Sequence, residues 1–147
     1  MKIGVLTVLM SDKSLKETLT YLKTLGVRMV ELGTGGFPGN AHCDPDVLLG
    51  NPVAFDAFKS LIQSFEIEIS ALSCHGNPVH PNREIAMRDH ETFKKTVLLA
   101  EKLGVKTVIT FSGCPGGSKE DMTPNWVTCS WPNDFANILE FQWNDVL

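Results

Sequence analysis

The strongest constraint on the fold is a phrase that the chain uses twice. LKTLGVRMVELG (22–33) and AEKLGVKTVITF (100–111) share Leu-Gly-Val, a basic residue, a spacer and Val. In each, an amphipathic stretch stops at a glycine, Gly26 or Gly104, and a run rich in β-branched residues follows. Glycine ends a helix because it tolerates the left-handed conformation that closes a last turn. A helix that feeds straight into a strand, with another strand and helix between the two copies, implies right-handed βαβ crossovers and a parallel sheet.

Four such units can be traced. Residues 2–9 read as a buried strand with Ile3, Val5, Leu6, Val8 and Leu9. Ser14 and Glu17 form the capping-box pattern that opens a helix, along which Leu15, Leu19, Leu22 and Leu25 make one apolar stripe. Residues 27–32 are a second strand, with Glu31 at its end. The loop 33–50 holds one short helical turn near Asp46, and Asn51–Pro52 opens a helix with Phe55, Phe58, Ile62 and Phe65 on one side. A third strand, 67–74, runs into ISALSCHGNPVHP (69–81). A helix from 83 to 103 turns Phe93, Val97 and Ala100 inward, and 105–111 is the fourth strand. After the loop 112–131, Pro132 opens a last helix with Phe135, Ile138, Leu139 and Val146 on its buried face.

The count decides between architectures. A complete (β/α)8 barrel takes about 250 residues, whereas this chain has 147. Four units make the N-terminal half of such a barrel or a small open sheet of flavodoxin type. The last helix reaches Leu147 with no glycine cap and no basic last turn. The expectation is therefore a single partial TIM-barrel domain over 1–147, cut in or after its fourth helix.

Composition removes several functional classes. A net charge of −4 and a pI near 5.5 argue against nucleic acid, whose phosphates call for clustered Lys and Arg. No apolar run approaches the ~20 residues of a membrane helix, and the N-terminal IGVLTVLM lacks a signal-peptide cleavage pattern. Cys43, Cys74, Cys114 and Cys129 form no C-x-x-C pair, which fits reduced thiols and a cytoplasmic location.

In a barrel the chemistry sits in the loops after the strands. Strand ends here offer Thr7 and Met10, then Glu31, Gly33 and Thr34, then His75 and Asn77, then Ser112, Cys114, Gly116 and Gly117. Glu31, the one acid within its strand, is a candidate base or substrate anchor, or else a salt-bridge partner of Lys2, Arg28 or a residue of a neighbouring strand. His75 is a candidate metal ligand, proton shuttle or donor to a sugar oxygen. Asn77 is a candidate substrate contact, though also an ordinary turn residue. Trp126 and Trp131 could stack on a sugar face or pack the loop. His42–Cys43 with Cys74–His75 suggests zinc, but the tight Cys pairs of structural sites are missing. Neither GTGGFP nor GCPGGSK completes a phosphate-loop fingerprint, and no G-x-S-x-G elbow occurs.

ELGTGGFPGNAHCDPD (31–46), ISALSCHGNPVHP (69–81), LAEKLGVKTVITFSGCPG (99–116) and PNWVTCSWP (124–132) together resemble the sugar phosphate isomerase/epimerase family. That family lies in the xylose-isomerase-like TIM-barrel superfamily, which also holds endonuclease IV type enzymes. The resemblance implies a (β/α)8 barrel with a divalent metal (Mn, Mg, Co or Zn) at its carboxyl face. It further implies a carbohydrate substrate and proton transfer through an enediol-like intermediate. In such relatives the metal is held by Glu, Asp, His and Glu of the fifth to eighth strands, which have no counterpart here. What carries over is the third-strand histidine, His75, which lines the pocket and ligates zinc in the nuclease branch. Glu31 is the other catalytic candidate, and Asn77 and Trp126 are substrate-binding candidates. Metal ligation within this half is confined to His75. A nuclease reading sits poorly with the acidic charge. An inactive product or scaffold is the other alternative, and open sheet edges lead to an expected homo-oligomer.

Overall fold

The computed structural model describes residues 3–129, 131 and 133–147, Asp134 in its backbone only. Its contacts divide the chain into two compact units, residues 1–75 with 92–110 and residues 76–91 with 111–147.

The first unit is an α/β sandwich of sheet and helices. Strands β1 (Gly4–Leu6), β2 (Met29–Gly36), β3 (Glu68–His75) and β4 (Val108–Thr110) are all parallel, in the spatial order 1-2-3-4. A flavodoxin-type sheet reverses direction at a switch point, giving the order 2-1-3. Strictly sequential order is the arrangement of one half of a (β/α)8 barrel, so the open-sheet alternative is set aside.

Local chemistry explains where the helices begin and stop. Helix α1 (Leu15–Thr24) is opened by the expected capping box, with the Ser14 hydroxyl accepting from Glu17 N–H and Glu17 reaching back to Ser14 N–H at 2.8 Å. Helix α2 (Pro45–Gly50) starts where Asp44 Oδ1 accepts from Asp46 and Val47 N–H. Helix α3 (Pro52–Ser64) starts where Asn51 does the same for Val53 and Ala54. The repeated phrase proves to be a repeated C-cap. After α1, Gly26 has φ +74° and Val27 N–H reaches Leu22 O; after α4 (Arg83–Leu103), Gly104 has φ +73° and Val105 N–H reaches Ala100 O. Both are Schellman motifs.

The core of this unit joins Leu19 and Leu22 of α1, Phe55, Phe58 and Ile62 of α3, and Leu99 and Ala100 of α4 to Val30, Leu32 and Leu72 of the sheet. Four expected core positions are on the surface instead, Ile3 and Leu9 around the first strand, Leu25 at 59% and Val97 at 43% exposure, and Thr96 takes the inward place on α4. Two bulges shape the β2–β3 ladder. Ser70 is an extra residue between Ile69 and Ala71, so Ile69 and Leu72 both reach the core, and Thr34 is an extra residue between Gly33 and Gly35.

Strand boundaries differ from those expected. The first strand stops at Leu6, because β1 pairs with β2 only through Glu31, and Thr7–Met10 is a 3₁₀ turn that leaves Leu9 exposed. The second strand runs four residues beyond Leu32, because β3 supplies ladder partners as far as Gly36 opposite His75. The fourth is shorter at both ends.

The second unit holds the 76–82 loop, the first turns of α4, the loop 111–129 and helix α5 (Ala136–Val146), which follows a 3₁₀ turn at Asn133–Phe135. Pro132, expected to open that last helix, and Lys2, the suggested partner of Glu31, lie outside the described residues. On α5, Ile138, Leu139 and Val146 are half-buried and Phe135 is exposed, while Gln142 is completely enclosed. Its amide donates to Gly116 O and Asn125 O, and its Oε1 accepts from Val127 N–H at 2.9 Å. The helix therefore holds its loop by backbone hydrogen bonds as well as by apolar contact.

Candidate functional site

The carboxyl ends of β2 and β3 are built by main chain and small polar side chains. Past the last ladder pair, Phe37 N–H donates to His75 O at 3.0 Å, which prolongs the pairing by one step and draws the 37–39 turn beside His75. Under the sheet, Thr34 Oγ1 donates to Ser73 O and shares a 2.8 Å hydrogen bond with Thr96 of α4. Thr110 Oγ1 donates to Cys74 O. These bonds satisfy the backbone where the bulge interrupts the ladder, and so hold the strand ends rigid.

His75 is the last residue of β3, half-buried, with its Nε2 atom enclosed. Strand alternation places it on the face opposite Leu72 and Cys74, away from the helices. Glu31 occupies the same face of β2, flanked by the core residues Val30 and Leu32. Its position along the strand is not the expected one. Glu31 is the third residue of an eight-residue strand and pairs with Ala71, four residues before His75. At about 3.3 Å per residue the two lie about 13 Å apart along the sheet. The residues at the true end of β2 are Gly35 and Gly36.

The zinc pairing finds little support in the geometry. Burial pushes the Cys43 thiol up to about 12, with the Asp44 charge adding to the effect. His42 Nε2 lies 2.9 Å from Lys13 O. Burial raises the Cys74 thiol too, against smaller opposing effects of hydrogen bonds to Thr96 and Thr110. Among the described residues no group of three or more His, Cys, Asp and Glu is placed to hold a metal ion. The described residues thus do not compose a metal centre by themselves.

In the second unit, Asn77 is committed to backbone. Its Nδ2 donates to Cys114 O at 2.7 Å and Cys114 N–H donates to its Oδ1 at 2.9 Å, a two-point clamp on the loop. Asn77 N–H in turn donates to Asp89 Oδ2. Trp126 packs edge-on against Trp143, with centroids 5.4 Å apart and planes at 76°. Sequence reading missed Gln142 and Asp121, the two residues that organise the 115–127 stretch. Asp121 Oδ2 accepts from Gly117 N–H and Asn125 Nδ2, and its Oδ1 from Ser118 Oγ. A Ser-x-x-Asp spacing is the one local signal that could have marked it.

The Gly117 N–H bond, followed by that of Ser118, holds the Asp121 carboxyl below its ordinary value of 3.8. A depressed carboxylate stabilises the fold above the ordinary range and loses that contribution as pH falls through the lowered value. Acid titration followed by amide NMR is expected to move the Gly117 and Asn125 signals with a midpoint below 3.8, and D121N to abolish that transition. A midpoint at or above 3.8 would contradict the hydrogen-bond assignment.

No family model matches the chain. It is 34% identical over 148 residues to Uncharacterized protein YfiH of Bacillus subtilis (strain 168), covering 99% of this chain and 47% of that protein. Among solved structures it is similar to the sugar phosphate isomerase/epimerase from Parabacteroides distasonis ATCC 8503, with a TM-score of 0.50 and 18% identity. That likeness covers 96% of this chain and 51% of the other. At this identity it establishes the fold. The chain spans about half the length of each of these proteins. Among the described residues no helix is long and apolar enough to cross a membrane.

Proposed function

We propose that this chain forms one wall of the active site of a sugar or sugar-phosphate isomerase or epimerase. The observation that carries the reading is the position of His75, last in β3 at the carboxyl edge of four sequential parallel strands. Those strands align with half of an isomerase/epimerase structure. At that edge an imidazole can donate to or accept from a carbohydrate oxygen. Glu31 would meet the substrate only at the floor of the pocket, about 13 Å deeper, so the two do not act on one atom. Within the second unit, Asn77 holds the Cys114 loop, and Trp126, packed edge-on against Trp143, is that unit's candidate ring for a sugar. Among the described residues no group is placed to hold a metal ion, so in this reading a metal would be held by residues outside this half, and His75 and Glu31 remain the candidates here for proton transfer.

A ligand-observed NMR screen tests the substrate class. Aldoses, ketoses and their phosphates are expected to bind, and amino acids and nucleosides are not. Binding of abasic duplex DNA with no sugar bound would replace this reading by the phosphodiesterase one.

A second reading is favoured by the sheet itself. Strands β1 and β4 stand at its two edges, and Ile3 beside β1 and Ile109 within β4 are 65% and 37% exposed. Parallel edges of this kind are templates for another strand. A self-associating chain is expected to sediment as a dimer or larger. A well-folded monomer at all accessible concentrations would contradict it.

A further inference from the structure

We infer that two copies of this chain close through their sheet edges into one eight-stranded parallel barrel, in which His75 of each copy lines a single shared mouth. The inference rests on the self-association reading above and gives it a geometry. Strand β4 of each copy pairs with β1 of the other.

Burial marks the β4 edge as incomplete. Among the described residues β4 has a strand on one side only. A parallel strand is ordinarily covered on both faces. Yet Ile109 and Thr110, successive residues that point to opposite faces, are both exposed. Val108 packs toward the core, so alternation turns Ile109 to the face that carries Glu31 and His75. On β1, Val5 packs toward the core, and Leu6 lies half-buried on that same inner face.

The register fits closure. Gly4 of β1 lies level with Met29 of β2, whereas Val108 of β4, followed through Leu72, lies level with Leu32. The paired segments thus climb three residues in three strand steps, one per strand. Eight strands staggered in this way accumulate a shear of about 8, the value of a closed (β/α)8 barrel. Four strands complete half that circuit. A second copy, related by a two-fold axis along the barrel, offers its β1 to β4 in the same parallel sense. Its own β4 receives the first copy's β1, so the two contacts are identical and no edge remains. Closure encloses Leu6 and Ile109 in an interior that eight strands leave just wide enough for side chains. Each His75 then lies at the same carboxyl mouth as its twin, and the wall drawn from one copy is half of the pocket.

Sedimentation of the full chain, with NMR of a mixture of differently isotope-labelled copies, tests the arrangement. A dimer with one set of amide signals and cross-copy contacts between β1 and β4 is expected. Ile109→Asp alters a residue already exposed in the single chain, but brings two carboxylates into the closed interior. It is expected to weaken dimerisation at least about tenfold with the β2–β3 amide spectrum unchanged, and Ile109→Val to keep it within about threefold. His75 ring signals are expected to differ between the dimer and monomeric I109D. A dimer whose cross-copy contacts avoid β1 and β4, or one indifferent to I109D, would overturn the barrel and leave self-association standing. His75 signals identical in dimer and monomer would overturn the shared mouth. A monomer at all accessible concentrations would overturn this inference and the self-association reading together.

Discussion

Gly35→Ala is expected to destabilise the sheet unit by about 2–5 kcal/mol, from a positive-φ cost of about 1–2 and an overpacking cost of about 1–3. Gly35 has φ +147°, and a Cβ there would collide with Thr92 Cγ2 of α4. It also sits where the Thr34 bulge shifts the β2–β3 register, so the backbone has little freedom to move aside. Urea unfolding followed by circular dichroism measures the loss. The double variant G35A/T92A separates the two causes, since removing the Thr92 methyl relieves the collision and leaves the dihedral cost. Against T92A alone, G35A is then expected to cost about 1–2 kcal/mol. A G35A chain as stable as the parent would show that α4 does not press on the sheet at this point.

The second large effect is expected at Gln142. Gln142→Leu keeps the volume but leaves Val127 N–H without its acceptor and Gly116 and Asn125 carbonyls without their donor. With unsatisfied buried groups costing about 1–3 kcal/mol each, a loss of about 3–5 kcal/mol is expected in the second unit. Hydrogen exchange at the Val127 and Gly117 amides should accelerate by at least about 100-fold. Exchange within β2 and β3 should stay as it was. Gln142→Glu keeps an acceptor for Val127 but turns oxygen toward the carbonyls, and is expected to be worse than leucine. Unchanged exchange in both variants would mean that α5 is held by its apolar face alone.

Much of the architecture was readable because it is written locally. The α4 limits, the Asn51–Pro52 start of α3, the Ser14–Glu17 box and the paired Gly26 and Gly104 stops all depend on side chains within a few residues of the element they define. The errors occur where partners are distant in sequence. GTGG at 33–36 looks like a loop, and becomes strand only because β3 offers hydrogen bonds along it. The IGVLTVLM run looks like a long strand, and is cut at Leu6 where its pairing with β2 ends. The same cause displaced Glu31 from a strand end to a strand interior. Gln142 was invisible because a glutamine on an amphipathic helix ordinarily faces water. Asn77 read as a substrate contact or an ordinary turn residue, and the Cys114 backbone, distant in sequence, takes up its side chain. His75 was placed correctly because a run of strand residues ending in His-Gly-Asn-Pro marks a strand end by composition alone.

The central claim is that the carboxyl edge of β3 binds carbohydrate. The most direct measurement is NMR of the His75 ring and the Phe37 amide, which is tied to His75 O, during titration with an aldose, a ketose and their phosphates. The account predicts saturable shifts of both signals with at least one of these ligands, and H75Q is expected to remove them without changing the β2–β3 amide spectrum. Sugar binding that leaves both signals unmoved, or that survives H75Q at full affinity, would contradict it.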